Sequence, residues 1–297
     1  MPAVAVAGGT ASVGRAIVEA LLANGLYKVV VFTRTIPEEP ITKGAQYLAV
    51  DYSDVDSIVS VLEQHNIDTV ISTTGGHGAP ETEKNLIQAA DKSAVTNRFI
   101  PSIFGMRYPV EHRSLPGAET NLIAIEALKT TSLQWTAVCN GSYLSPMTMV
   151  IDMAGKAAAI PGSGDTPVVF TYSKDVAKFT AALLTLDHWE EDSYVIGDRV
   201  TWNQFPKLAQ DVTGEKFKVT HDPVELLRSG IATELPFHHD AYGSVPKDVL
   251  QRILATFALL FEQGLLDFPE ERAVNRLFPE IKPLKVKDVL ELGRGSQ

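Results

Sequence analysis

The sequence predicts an α/β protein: a Rossmann-type, doubly wound parallel sheet with a smaller, mostly helical C-terminal domain. Three observations predict it. The chain opens on a strand, a glycine turn and a helix, Val4-Ala5-Val6-Ala7-Gly8-Gly9-Thr10-Ala11-Ser12-Val13-Gly14-Arg15. Over the first 140 residues, short apolar runs alternate with segments of helical period. Those runs are continuously apolar, the pattern of strands covered on both faces.

Residues 4–7 form the first strand. Residues 13–24 follow as a helix with Ile17, Val18, Leu21 and Leu22 on one face, stopped by Gly25. Residues 28–32 and 47–50 are strands two and three. Ser53 and Asp56 have the spacing of a helix N-cap and its reciprocal acid, opening a helix that runs to residue 64. Strand four covers 69–72, and a helix covers 81–92. Strand five includes 99–100, a helix covers 119–130, and strand six covers 135–139.

After residue 140 the rhythm changes. Residues 160–165, with Pro161, Gly162 and Gly164, predict a loop or hairpin. A helix is expected over 175–186 and a short strand over 194–196. Later helices are expected over 202–213, 223–229, 247–263 and 287–292, punctuated by Pro223, Pro236, Pro246, Pro269, Pro279 and Pro283. Residues 1–150 therefore read as the sheet domain, its sheet completed by parts of 168–200. Residues 151–297 read mainly as a cap over the carboxyl ends of the strands, where open α/β sheets bind ligands.

Bulk properties exclude several classes. At 297 residues and 45% hydrophobic content, the chain has enough material for a large core. A formal charge of −10, with no run of five basic residues, excludes a nucleic-acid binder. No apolar run reaches the roughly 18 residues of a membrane span. Met1-Pro2-Ala3 lacks the charged start of a signal peptide, and the one cysteine, Cys139, fits a reducing compartment. A cytoplasmic protein, monomeric or homodimeric, is the expectation, and the Asn140-Gly141-Ser142 sequon then carries no meaning.

The glycine turn carries the first chemistry. Glycines let the backbone approach a pyrophosphate, and the helix that follows offers free N–H groups and a partial positive charge. Gly8, Thr10, Ala11, Ser12, Val13 and Gly14 are the expected cofactor contacts, although the spacing Gly8-x-x-Ala11-x-x-Gly14 departs from G-x-G-x-x-G. The residue closing strand two selects the nicotinamide cofactor. NAD binders place an acid there, whereas NADP binders supply cations for the extra phosphate. Here the strand closes on Phe32-Thr33-Arg34 with no acid, so Arg34, with Lys43 nine residues on, points to NADP(H). Asp51 and Tyr52 after strand three flank the adenine in this reading. Thr73, Thr74 and Gly75 after strand four, and Pro101, Ser102 and Phe104 after strand five, border the ribose and nicotinamide.

The chain also resembles the NmrA-like and isoflavone-reductase-like branch of the short-chain dehydrogenase superfamily over its whole length. The resemblance rests on Ala7-Gly8-Gly9-Thr10, Thr33-Arg34, Arg98-Phe99-Ile100-Pro101-Ser102 with Phe104-Gly105, and Ser132-Leu133-Gln134-Trp135-Thr136. Asn140-Gly141, Gly162-Ser163-Gly164-Asp165 and Phe278-Pro279-Glu280-Ile281-Lys282-Pro283 complete it, with a flavour similar to fungal oxidoreductases of secondary metabolism. It implies an NADPH-binding Rossmann domain, a small C-terminal substrate domain, and reduction of phenolic or polycyclic substrates. Three positions depart from the family. Ala11 stands at its middle glycine, and Ile103 replaces the acid of Pro-Ser-Glu-Phe-Gly. Its catalytic lysine has no counterpart: the matching stretch is Glu119-Thr120-Asn121-Leu122, and Lys129 lies about two turns further on. The Tyr-x-x-x-Lys pair of ordinary short-chain dehydrogenases is absent too, since Tyr108 is followed by His112 and Tyr143 by Met147.

A proton donor is therefore sought on the loops after strands five and six. His112 ranks first because imidazole titrates near neutral pH, Tyr143 second, and Tyr108 beside them. Thr120, Asn121, Asn140, Ser142, Tyr143 and His238 are the expected substrate contacts. Adjacent His238 and His239 do not make a metal site, because two neighbouring rings rarely share one ion. The leading function is an NADPH-dependent reductase of a small apolar or aromatic metabolite. The missing lysine leaves two alternatives: a redox-neutral isomerase or cyclase that retains NADP(H), and a non-enzymatic NADP sensor.

Overall fold

The computed structural model describes all residues except 11, 76–79, 114, 116, 145, 146, 244 and 295–297. In chain order it runs through β1 (Ala3–Ala7), α1 (Ser12–Asn24), β2 (Lys28–Thr33), β3 (Gln46–Ala49), α2 (Val55–Gln64) and β4 (Ile67–Ser72). Next come α3 (Pro80–Lys92), β5 (Arg98–Ile100), α4 (Ala118–Leu128), β6 (Gln134–Trp135) and β7 (Ala137–Cys139). Five short strands follow: β8 (Ser142–Tyr143), β9 (Met147–Thr148), β10 (Ile151–Asp152), β11 (Ala157–Pro161) and β12 (Pro167–Thr171). The chain continues with α5 (Ser173–Leu183), β13 (Asp192–Tyr194), β14 (Asp198–Thr201), α6 (Phe205–Thr213) and β15 (Lys218–Asp222). It ends with α7 (Val224–Arg228), α8 (Lys247–Glu262) and α9 (Val286–Arg294). Two compact units result: Met1–Cys139 with Ser173–Val195 and Arg272–Ile281, and Asn140–Tyr172 with Ile196–Glu271 and Lys282–Gln297. The chain thus first leaves the sheet unit after Cys139, short of the boundary expected at 150.

The first unit holds a parallel six-stranded sheet in the order β3-β2-β1-β4-β5-β6. Its central strands are buried throughout, which is why they read as unbroken apolar runs: all five residues of β1, and Val29 to Phe32 of β2. Ile17, Val18 and Leu21 of α1 are buried, and α1 packs against α5. Strand order reverses at β1, whose neighbours β2 and β4 follow it on either side. That is the topological switch point, where loops diverge and leave a crevice.

Several elements differ in detail from expectation. The cap of α2 is Asp54, whose carboxylate accepts from the Ser57 N–H at 3.0 Å. Ser53 instead turns back to Asp51, to which its N–H and hydroxyl both donate, at 2.9 and 2.6 Å. Strand six is two strands that part at Thr136: β6 pairs with β5, and β7 pairs in parallel with β13. The strand expected over 194–196 is β13, two residues earlier, set by that pairing. Ile160 and Pro161 close β11, in parallel register with β15, so the turn begins only at Gly162.

The second unit adds two small sheets to the helices expected there, β15-β11-β10-β9 and β14-β12-β8. Its α6 begins at Phe205 instead of 202, because Trp202 is buried edge-on to Phe170 and Phe261. No helix among the described residues is long and apolar enough to cross a membrane.

Candidate functional site

The glycine turn after β1 lies directly against the end of β4. Thr73 donates both its N–H and its hydroxyl to the Ala7 carbonyl, at 2.9 and 2.8 Å. Gly8 has φ of 80°, and a Cβ there would stand 2.7 Å from the Thr73 hydroxyl. A Cβ on Gly14 would stand 2.5 Å from the same hydroxyl and 2.6 Å from the Gly8 carbonyl oxygen. Both glycines are therefore required for the first turn of α1 to approach the strand ends. Thr10 and Val13 are half-buried, and Ser12 is exposed with φ of 50°. Ala11 lies outside the described residues.

Beside this turn, a pocket of about 680 Å3 opens at the ends of β2 and β3, lined by Arg34, Asp51, Tyr52, Ser53, Glu81, Thr82 and Asn85 among others. Tyr52 forms a fixed wall. Its hydroxyl donates to the Phe32 carbonyl at 3.1 Å, and its own carbonyl accepts from Asn85 Nδ2 at 2.9 Å. Burial raises the Tyr52 phenol far above its ordinary range, so it stays a neutral donor. Arg34 is exposed to the pocket at the position where an acid would bind a plain ribose. Lys43 is exposed and is not among the lining residues.

A residue that sequence reading missed organises the loops after β4 and β5. Glu83 of α3 is 1% exposed. Its carboxyl accepts from the Ser72 hydroxyl at 2.5 Å, the Thr74 hydroxyl at 3.2 Å and the Ser102 N–H at 2.9 Å. The Gly75 N–H donates to Ser102 Oγ at 2.8 Å, joining the two loops directly. Burial raises the Glu83 carboxyl, opposed by the three donors. The available signal was two hydroxyl residues, Ser72 and Thr74, at a strand end followed by an acid in the next helix. Pro101 is buried and Phe104 half-buried, and Ile103, where the resemblance implies an acid, is 2% exposed.

The catalytic candidates fall in both units. In the first, His112 is half-buried at the end of a 3-10 turn, with its N–H on the Pro109 carbonyl at 2.9 Å. Tyr108 is half-buried, and burial raises its phenol. Thr120 is half-buried in α4, and Lys129 is exposed at the end of that helix. Asn121 is buried; its Nδ2 donates to the Met106 carbonyl at 3.1 Å, and its Oδ1 has no partner among the described residues. In the second unit, Ser142 is half-buried, and Asn140 is fully buried with its Oδ1 unpartnered among the described residues. The Tyr143 hydroxyl is also buried without a partner among the described residues, and burial raises it. His238 Nδ1 accepts from the Leu235 N–H at 3.0 Å, and burial lowers its basicity. Its neighbour His239 bonds instead to Glu234 at 2.5 Å, so the two rings serve different partners. Among the described residues no cluster of three or more His, Cys, Asp or Glu could hold a metal ion. Burial pushes the Cys139 thiol up to about 12, which leaves it inert.

These residues fit a dinucleotide phosphate: a cradle that a Cβ would fill, a helix N-terminus beside it, and a cation where an acid would exclude the extra phosphate. Comparison with known proteins agrees. An NAD(P)H-binding family model matches residues 8–187. Oxidoreductase BOA1 of Botryotinia fuckeliana is 32% identical over 95% of this chain and 96% of its own length. Pinoresinol reductase 1 of Arabidopsis thaliana is 26% identical over 97% of this chain and 96% of its own. The solved NADPH complex of leucoanthocyanidin reductase from Vitis vinifera shares the fold, with a TM-score of 0.78 at 20% identity over 97% of each chain. The structure of AtPrR2 with NADP+ and (+)pinoresinol gives 0.77 at 23% identity over 98% of each. The chain belongs to the NAD(P)H-binding oxidoreductases of the NmrA-like, isoflavone-reductase-like family.

Proposed function

We propose that the protein is an NADPH-dependent reductase of a small apolar or aromatic metabolite. The observation that carries this reading is Arg34 in the open pocket at the end of β2, beside a glycine cradle that admits no side chain at Gly14. Relatives named as reductases of pinoresinol and leucoanthocyanidin, both aromatic, support the substrate class. The first unit is proposed to hold the cofactor and the second to recognise substrate. The single, buried Cys139 supports a cytosolic setting.

The roles of the chain's own residues follow from their chemistry. Thr10, Ser12, Val13 and Gly14 bind the pyrophosphate through backbone N–H groups, with Gly8 letting the backbone come close and Ala11 between them in the sequence. Arg34 pairs with the extra phosphate, and Tyr52 and Asp51 flank the adenine. Thr73, Thr74, Gly75, Pro101, Ser102 and Phe104 border the nicotinamide. NADPH, when bound, supplies the hydride to an electrophilic carbon of the substrate. The chain then has to deliver one proton to the atom that takes up the electron pair. A buried phenol of raised pKa gives its proton only to a stronger base, such as the alkoxide that carbonyl reduction creates. That argument supports Tyr143 and Tyr108 as donors to oxygen, with His112 the third candidate donor. Thr120, Asn121, Asn140, Ser142 and His238 are proposed to orient substrate, because Asn121 and Asn140 each keep a buried carbonyl oxygen unsatisfied.

The experiment is a titration with NADPH and NADH, followed by absorbance at the nicotinamide band with aromatic ketones, imines and enones. Oxidation of NADPH that depends on substrate is expected, with NADH much weaker. Comparing Tyr143→Phe, Tyr108→Phe and His112→Ala then assigns the donor, whose loss costs about 100-fold or more in kcat. Substrate conversion with no net oxidation of NADPH would sink the reductase reading.

A further inference from the structure

The first unit contains a buried acid that joins the loop after β4 to the loop after β5 on one side of the proposed cofactor site. Glu83 is 1% exposed. Through Oε2 it accepts from Ser72, the last residue of β4, and from Thr74 in the loop that follows. Through Oε1 it accepts from the backbone N–H of Ser102, in the loop after β5. The Gly75 N–H on Ser102 Oγ adds a second tie at 2.8 Å. The loops are close enough that a Cβ on Gly75 would stand 2.9 Å from Ser102 Oγ and 3.2 Å from its carbonyl oxygen. Both carboxyl oxygens are thus occupied by the chain itself. Glu83 is not placed to contact a ligand or to exchange protons with one.

The same helix reaches the other half of the site through different residues. Glu81, Thr82 and Asn85 of α3 line the pocket at Arg34, and none of them bonds to the Ser72, Thr74 and Ser102 cluster. Removing the Glu83 carboxyl therefore loosens the loops after β4 and β5 and leaves the walls around Arg34 in place. We infer that Glu83 is a positioning residue that shapes the nicotinamide side of the cofactor site and not the adenosine side. This rests on the reading above, in which those two loops border the nicotinamide.

The test compares two ligands on three proteins. NADPH spans both halves of the site; adenosine 2′,5′-bisphosphate occupies only the Arg34 half. Affinities are read by titration, together with the emission of the bound nicotinamide. Glu83→Ala is expected to weaken NADPH about tenfold or more, blunt its bound emission, and leave the bisphosphate within about twofold. Glu83→Gln keeps an acceptor for Ser102 and a polar partner for the two hydroxyls, so NADPH affinity returns to within about threefold of the parent. Ser72→Ala removes one donor without emptying the core and gives the same pattern, reduced, should Glu83→Ala fail to fold. NADPH binding unchanged in both alanine variants overturns the inference. So does parallel loss of both ligands, or a Glu83→Gln protein as impaired as Glu83→Ala. A parent protein that binds neither ligand overturns the cofactor reading itself, and the inference with it.

Discussion

The Ser102 N–H donates to the Glu83 carboxyl at 2.9 Å, linking the loop after β5 to the interior of α3. Burial raises that carboxyl above its ordinary value of 4.5. The folded protein therefore keeps a proton that the unfolded chain releases once pH passes the ordinary value. Stability from this group is fully present below 4.5 and declines as pH rises toward the higher folded pKa. Glu83→Gln removes the titration. Urea unfolding as pH is raised above 4.5 should show a decline in the parent that the variant lacks.

Gly14 has no room for a methyl group, with Thr73 Oγ1 at 2.5 Å and the Gly8 carbonyl oxygen at 2.6 Å from an added Cβ. Gly14→Ala should push the first turn of α1 away from the strand ends. The expected result is a loss of about 1–3 kcal/mol in stability, from overpacking, and of at least about tenfold in NADPH affinity. Thermal unfolding and a binding titration check the two parts separately.

Arg34 is the cation of the pocket after β2. Arg34→Ala should weaken NADPH by about 10- to 100-fold, the worth of a charge-assisted contact, and leave NADH unchanged. Arg34→Asp should go further and favour NADH, because an acid there accepts from ribose hydroxyls and repels phosphate. Parallel titrations with the two reduced cofactors measure the ratio.

Arg98, part of the stretch that carries the family resemblance, has a structural task. Its guanidinium donates to the Leu184 carbonyl at 3.2 Å, to the Leu186 carbonyl, and to Gln134 Oε1 at 2.8 Å, and lies over the Trp189 ring at 4.3 Å. It closes the carboxyl end of α5. Arg98→Met should cost about 2–3 kcal/mol in urea unfolding, because carbonyls at a helix end lose their donor. NADPH affinity measured on the folded fraction should be unchanged.

The sheet of the first unit was legible because its central strands are buried on both faces, so β1 and β2 appear as apolar runs without alternation. The break between β6 and β7 was not. Trp135, Thr136 and Ala137 are all buried, and what parts the two strands is pairing with β13, more than fifty residues away in the chain. Strands β8, β9 and β10 have two residues each, too short to show any period. In the site, Arg34 was readable because strand two ends at a fixed place relative to the glycine turn. Lys43 follows an irregular loop, and counting residues could not locate it at the pocket. Glu83 was hidden for another reason: an acid in the first turn of a helix ordinarily faces water and the helix dipole, and only the loops around α3 bury this one.

The reductase reading is tested most directly by following the hydride. NADPH deuterated at the transferable position of the nicotinamide is incubated with the protein and a substrate from the ketone, imine and enone panel, and the product is examined by mass spectrometry. One deuterium per product molecule, with one NADP+ formed, is the predicted result. Product that carries no deuterium, formed while NADPH is not consumed, would contradict it.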